Sequence, residues 1–250
     1  MANRYRATLA YDGTAYQGFQ RQIGDTPTIQ LVLENAICAV TQQTVTVTGA
    51  GRTDAGVHAA GQVIAFDVEW YREDEELLRA INANLPQDIA LQDIRQHPRF
   101  HPRFDALSRV YTYTIANTPQ RQPLLWNRAW HIYGDLDVEG MQRAAKLLIG
   151  EHDFATFGRP PYGDSTIRKV MVSEWAKEPE RYGGSRLIYR IEADAFLQHM
   201  VRRIVATLVE VGRTLITLEQ FEAAFSAADL SQSGPLAPSQ GLVLETVRYP

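Results

Sequence analysis

Apolar and polar residues alternate from Tyr5 to Tyr11, the two-residue period of a strand with one buried face, and Asp12-Gly-Thr14 supplies turn chemistry directly afterwards. The period then lengthens. Over residues 28–42, Leu31, Val32, Ala36, Ile37 and Val40 recur at helical spacing, with Thr28 as the N-cap behind Pro27. Residues 45–48 and 62–68 read as strands, 74–84 as a second amphipathic helix stopped before Pro86, and 89–94 as a short strand. A second series follows: strand 109–116, helix 138–149, strands 169–177 and 186–196, helix 199–212 and strand 242–248. Strand-helix-strand-strand-helix-strand, met twice, predicts an α+β chain of two ferredoxin-like halves, residues 1–105 and 106–250, joined into one long antiparallel or mixed sheet flanked by helices. Irregular segments at 118–126 and 157–165 interrupt the second half, and residues 229–240 read as a surface loop before the last strand.

Composition narrows the classes. With 250 residues and 45% hydrophobic content, the chain can fill one large core or two joined halves. No stretch approaches the roughly 20 apolar residues of a membrane span, and the first residues run into the alternating strand without a signal-peptide core, which predicts a cytoplasmic protein with no membrane partner. Cys38, the single cysteine, lies in an apolar helical run and can form no internal disulfide. A net charge of −4 counts against a nucleic-acid partner, although distribution can override the total. The positive charge is almost all arginine, with lysine only at 146, 169 and 177, and guanidinium suits bidentate phosphate contacts and stacking on bases.

Chemistry concentrates in Gly49-Ala-Gly-Arg-Thr-Asp-Ala-Gly-Val-His58, where glycines at 49, 51 and 56 let a tight loop present Arg52, Thr53 and Asp54. A glycine-rich hairpin whose Asp54 only closes an Asx turn has the same spacing, so spacing alone leaves both open. The phosphate-loop and dinucleotide patterns do not match, which disfavours nucleotide cofactors. His97 and His101, the closest histidine pair, are broken by Pro98 and Pro102, so no metal site is expected. The serines lack a nucleophile-elbow context and Cys38 is mid-helix, which leaves an aspartate as the best candidate. Two stretches join charge or aromatics to packing. Arg202 and Arg203 sit on or beside the apolar stripe of the 199–212 helix, where one either points into a partly buried site beside a carboxylate or both reach solvent. Tyr111 and Tyr113 share one face of a strand, as packing residues or as functional ones.

Taken in order, Tyr11-Asp-Gly-Thr14 with Gly18-Phe-Gln-Arg-Gln22, Gly51-Arg-Thr-Asp-Ala-Gly-Val-His58, Arg109-Val-Tyr111, Glu151-His-Asp-Phe154, Phe196-Leu-Gln-His-Met-Val-Arg202 and Ala237-Pro-Ser-Gln-Gly-Leu242 resemble the blocks of the tRNA pseudouridine synthase A family along essentially the whole chain. The resemblance implies the pseudouridine synthase fold, with the catalytic loop in the first half and the base-stacking tyrosine and ion-pairing arginine in the second. It implies isomerisation of uridine to pseudouridine at positions 38–40 of the tRNA anticodon stem-loop, without cofactor or metal, by a homodimer that cradles tRNA. It implies Asp54 as the catalytic carboxylate, Tyr111 stacked on the target base, Arg202 paired with Asp54, Arg52 in the space left by the everted nucleotide and Leu242 beside the base. This sequence departs from the family's commonest form at Phe19, usually tryptophan, and at Arg203, often asparagine. Two readings from other classes stand beside it: a non-catalytic RNA-binding module, and an Asp-dependent nucleosidase that would also want a second carboxylate.

Overall fold

The computed structural model describes residues 2–24, 26–161 and 163–250; Tyr162, inside the irregular 157–165 segment, lies outside them, as do Met1 and Asp25. In chain order the elements are β1 (Asn3–Tyr11), α1 (Ile29–Thr41), β2 (Thr48–Gly49), β3 (His58–Val68), α2 (Asp74–Asn84), β4 (Ile89–Gln96), β5 (Ser108–Asn117), β6 (Trp130–Ile132), α3 (Val138–Lys146), β7 (Gly150–Asp153), β8 (Ile167–Pro179), β9 (Ser185–Ala193), α4 (Met200–Gly212), α5 (Leu218–Ser226) and β10 (Leu242–Arg248). The class is α+β, with mixed strand pairing and flanking helices. Two compact units divide the chain: residues up to Leu107 with Val243–Pro250, and Ser108–Leu242.

In the first unit the strand order is β4-β1-β3-β10. Its first three strands are antiparallel, and β10 runs parallel to β3 through Val243 opposite His58 and Leu244 opposite Ala59. The alternation in β1 works as its period requires: Tyr5, Ala7 and Leu9 are fully buried, and the Tyr5 ring stacks on Phe66 of β3 at 5.7 Å. α1 adds Ile29, Leu33 and Ile37 to this core and α2 adds Leu77 and Ile81. Each such side chain contributes about 1.5–3 kcal/mol by leaving water. Thr28 caps α1 by accepting the Leu31 N–H at 3.3 Å.

Of the expected strand at 45–48, only Thr48 pairs, with Ala65 of β3, and the next residue, Gly49, pairs with Ile64. Val45 and Val47 are buried, but the Val47 N–H donates to the Glu34 carboxylate at 3.0 Å instead of to a neighbouring strand. β3 in turn starts at His58 and not at Gln62, which shortens the loop before it.

In the second unit the order is β5-β9-β8-β7, all antiparallel, with the short β6 parallel to β5. α3 packs on β8 and α4, and α4 presents Ile204, Val205 and Leu208 to the core. The strand expected to reach residue 196 ends at Ala193, because the Asp194 carboxylate takes the N–H groups of Lys169 and Ala195 and closes the ladder. The helix expected over 138–149 ends at Lys146, and a tight turn with bonds from Leu147, Leu148 and Ile149 to carbonyls three residues back leads into β7. α5, β6 and β7 have no counterpart in the sequence pattern read above.

Candidate active site

In the first unit, Asp54 stands on the short loop between β2 and β3, and neighbouring segments hold this loop by its backbone. Phe19 N–H donates to Thr53 O at 3.0 Å, Gly56 N–H to Tyr16 O at 3.3 Å, and Val57 N–H turns back to Asp54 O at 3.2 Å. Behind it, Gln62 Nε2 donates to Gly51 O at 3.0 Å. Gly18 is required by this approach: its φ is +90° and an added Cβ would lie 2.8 Å from Thr53 O. The Thr53 hydroxyl shares a buried 2.8 Å hydrogen bond with the Tyr11 phenol. Burial pushes that phenol up to about 12, with Thr53 and Gln62 opposing part of the shift. Asp54 is left half-buried at the loop's apex and Arg52 is exposed. Asp12 makes an Asx turn nearby, its Oδ1 accepting from Thr14 N–H at 3.0 Å and from the Thr14 hydroxyl at 2.6 Å.

Two further anchors were not singled out by sequence reasoning. His58, buried at the start of β3, has its Nδ1 3.0 Å from Asp12 Oδ1 and 3.1 Å from the Gly13 nitrogen, tying the Asp12-Gly-Thr14 turn to the end of the loop. Glu34 of α1, only 5% exposed, accepts from Gln30 Nε2 at 2.8 Å, Val47 N–H at 3.0 Å and the Arg21 guanidinium at 2.9 Å. Gln30 Oε1 takes the Arg21 N–H at 2.9 Å, so the Gly18–Gln22 block is secured by both its backbone and its side chain. A carboxylate one helical turn after a glutamine on the inward side of α1 was the available signal.

The other expected residues lie in the second unit. Tyr111 of β5 is 8% exposed, with its ring edge-on to Phe196 at 5.1 Å. Tyr113, two residues on and fully buried, is a packing residue whose hydroxyl donates to Pro238 O at 2.8 Å; burial raises its phenol far above the ordinary range, and Arg202 offsets part of that. Arg202 Nε donates to Ala237 O at 2.8 Å, and Ala237 N–H returns to Arg202 O at 3.2 Å. Residues 237–242 are therefore strapped to both α4 and β5. Gly241 lies so close to Tyr113 that an added Cβ would sit 2.6 Å from its ring, and Leu242 at the end of the strap is buried. Arg203 turns the other way, toward the carbonyls of Phe157 and Gln198 at 3.4 Å each. Neither arginine simply reaches solvent: both are half-buried with carbonyl partners.

Among the described residues, no group of three or more His, Cys, Asp or Glu side chains is placed to hold a metal ion, and no helix is long and apolar enough to cross a membrane. The chain is thus a mixed α+β protein with Asp54 on a backbone-anchored, glycine-bounded loop in its first unit and buried aromatics beside half-buried guanidinium groups in its second. The chain belongs to the tRNA pseudouridine synthase family, whose sequence model matches residues 7–105 and 144–250. Proteins named tRNA pseudouridine synthase A are similar to it over nearly its whole length. The one from Neisseria gonorrhoeae (strain NCCP11945) is 41% identical over 249 residues, covering 99% of this chain and 92% of that protein. Those from Methylacidiphilum infernorum, 39% identical with 98% and 95% covered, and Chloroflexus aurantiacus, 43% identical with 97% and 87% covered, agree. A solved Cbf5-Nop10-Gar1 complex overlays with a TM-score of 0.34 at 12% identity, covering 82% of this chain and 54% of that one, too loosely to add to the fold.

Proposed function

We infer that the chain isomerises uridine to pseudouridine in tRNA, with Asp54 as the carboxylate that acts at the ribose. The observation that carries this is the fixed presentation of Asp54, in a chain that belongs to the tRNA pseudouridine synthase family over most of its length.

The chemistry asks for little else. The bond from ribose C1′ to uracil N1 breaks, the uracil turns, C1′ bonds to C5, the C5 proton leaves and N1 gains one. Atoms and electrons balance without water, reductant or oxidant. A carboxylate beside C1′ can stabilise an oxocarbenium-like centre, attack it, or take the C2′ proton. In this proposal Arg202 serves as the counter-ion that keeps Asp54 charged, Tyr111 stacks on the uracil, Leu242 lines the base and Arg52 fills the space left in the RNA stack. Everting a base costs a few kcal/mol, and stacking on an aromatic ring returns about 1–3 kcal/mol of it. The substrate region implied by the resemblance is the anticodon arm, positions 38–40, and the working form a cytoplasmic homodimer.

The test is incubation of unmodified tRNA transcripts with the protein, followed by base-resolved mapping of pseudouridine and assay of released uracil. Pseudouridine confined to the anticodon arm, with no free uracil, is expected. Free uracil would mean a nucleosidase, and tRNA binding without product would mean a non-catalytic RNA-binding module.

A further inference from the structure

Residues 97–104 read His-Pro-Arg-Phe twice in tandem, and the two copies end differently. Phe100 is 3% exposed; it packs on the Tyr249 ring at 5.0 Å, and the Arg6 guanidinium lies 5.0 Å from its centre. Phe104 is 78% exposed.

A single exposed phenylalanine is ordinary, but this one is held in place. Its ring stacks on His101 at 4.2 Å with 27° between the planes. His101 Nδ1 accepts the N–H groups of Arg103 and Phe104, each at 3.2 Å. The Asp105 carboxylate accepts the His101 N–H at 2.9 Å, and Asp105 N–H returns to His101 O at 3.1 Å. The Tyr249 phenol then donates to Pro102 O at 2.7 Å, pinning the turn to the C-terminal segment of the same unit. Residues 101–105 are thus closed on themselves and anchored from below. An aromatic face fixed in water before any ligand arrives loses little freedom when one binds.

Charge says which ligand suits it. Arg99 is exposed beside the turn and Arg103 lies within it. Arg95 and Arg6 are partners across β4 and β1, and Arg4 reaches the same segment by donating to Phe100 O at 2.6 Å. Four acids are near: Asp67 is paired with Arg4, Asp93 accepts from Thr8, Asp74 accepts the Gln96 N–H at 3.2 Å, and Asp105 closes the turn. Five arginines against four carboxylates, in a chain of net charge −4, leave this surface on the cationic side around an exposed π face. Nucleic acid offers the matching pair of groups, phosphate and base.

We propose that the second copy, His101-Pro-Arg-Phe104, is a stacking platform for an unpaired base of the bound tRNA, with Arg99 and Arg103 meeting flanking phosphates. The proposal rests on the tRNA reading given above. Because every base has a π face, the platform contributes affinity and placement without sequence preference.

Phe104→Ala and Phe104→Trp, compared with the unaltered full-length protein, test it through tRNA affinity, pseudouridine yield, sedimentation and thermal melting. Phe104→Ala is expected to weaken tRNA binding by roughly five- to hundredfold, the range of one base–aromatic stack, with melting unchanged. Phe104→Trp is expected to keep the affinity and to add fluorescence, above that of the other tryptophans, that tRNA quenches. Unchanged affinity in Phe104→Ala, or added tryptophan fluorescence insensitive to tRNA, overturns the platform. So does a loss of binding that only follows a loss of self-association, which would make the face a contact between copies of the chain. If the unaltered protein binds tRNA through Phe104 yet forms no pseudouridine, the catalytic reading fails and the platform stands; pseudouridine formed with Phe104→Ala binding normally gives the reverse.

Discussion

Tyr111 is a packing residue to which the proposal also assigns a function. Its ring is edge-on to Phe196 and 92% of its surface is covered, so most of the ring is already spent on the second unit's interior. The proposed stacking needs the ring, whereas removal of the C5 proton would need the phenol. Tyr111→Phe separates the two: if the hydroxyl takes that proton, steady-state turnover falls at least tenfold while tRNA affinity holds. Turnover equal to that of the unaltered enzyme would confine Tyr111 to stacking. Tyr113, on the same strand face, has its hydroxyl committed to Pro238 O, which is the packing role that its alternation with Tyr111 left open.

At the scale of elements, the Asp54 loop depends on groups that never approach it in sequence. Glu34 collects three donors from α1, from the segment before β2 and from Arg21. Glu34→Ala leaves the Val47 N–H without its acceptor and is expected to cost about 1–3 kcal/mol. Arg21 is half exposed, so its lost ion pair adds little. Melting and turnover should fall together; unchanged melting would show that the helix-to-loop tie is ornamental. The long periodic elements were legible from their own residues: β1, α1, α2 and α4 announce themselves by period, and α1 also by its Thr28 cap. The short ones were not. β6 has three residues and pairs only because β5 lies beside it, and residues 45–47 look like a strand but send a backbone donor to a carboxylate. α5 did carry a signal, the reciprocal Thr217 and Gln220 capping box, in a stretch read without an element. Asp54 stood out because three glycines surround it, but spacing could not separate an Asx turn from a presented carboxylate. What the sequence did not show is how the loop is held: Gly18, Tyr16 and Phe19 reach its backbone through space.

For the molecule as a whole, buried phenols set an alkaline limit. Tyrosine in an unfolded chain ionises near pH 10, whereas burial holds Tyr11 up at about 12 and raises Tyr16, Tyr113 and Tyr189 further. Above pH 10 the unfolded chain therefore releases protons that the folded one keeps. The contribution of these groups to stability is complete below pH 10 and is lost as pH rises through about 12. Tyrosinate absorbance followed beside far-ultraviolet circular dichroism should show exposed tyrosines titrating first and the buried set only as the dichroism collapses. A smooth titration of all 11 tyrosines about pH 10 with the dichroism intact would contradict this. The proposed function turns on one carboxylate. The most direct measurement is pseudouridine formation in unmodified tRNA transcripts by the intact protein and by Asp54→Asn side by side, with tRNA affinity and melting recorded for both. Pseudouridine from the intact protein alone, with affinity and melting matched, is the predicted result; pseudouridine formed at a comparable rate by Asp54→Asn would contradict the role of Asp54.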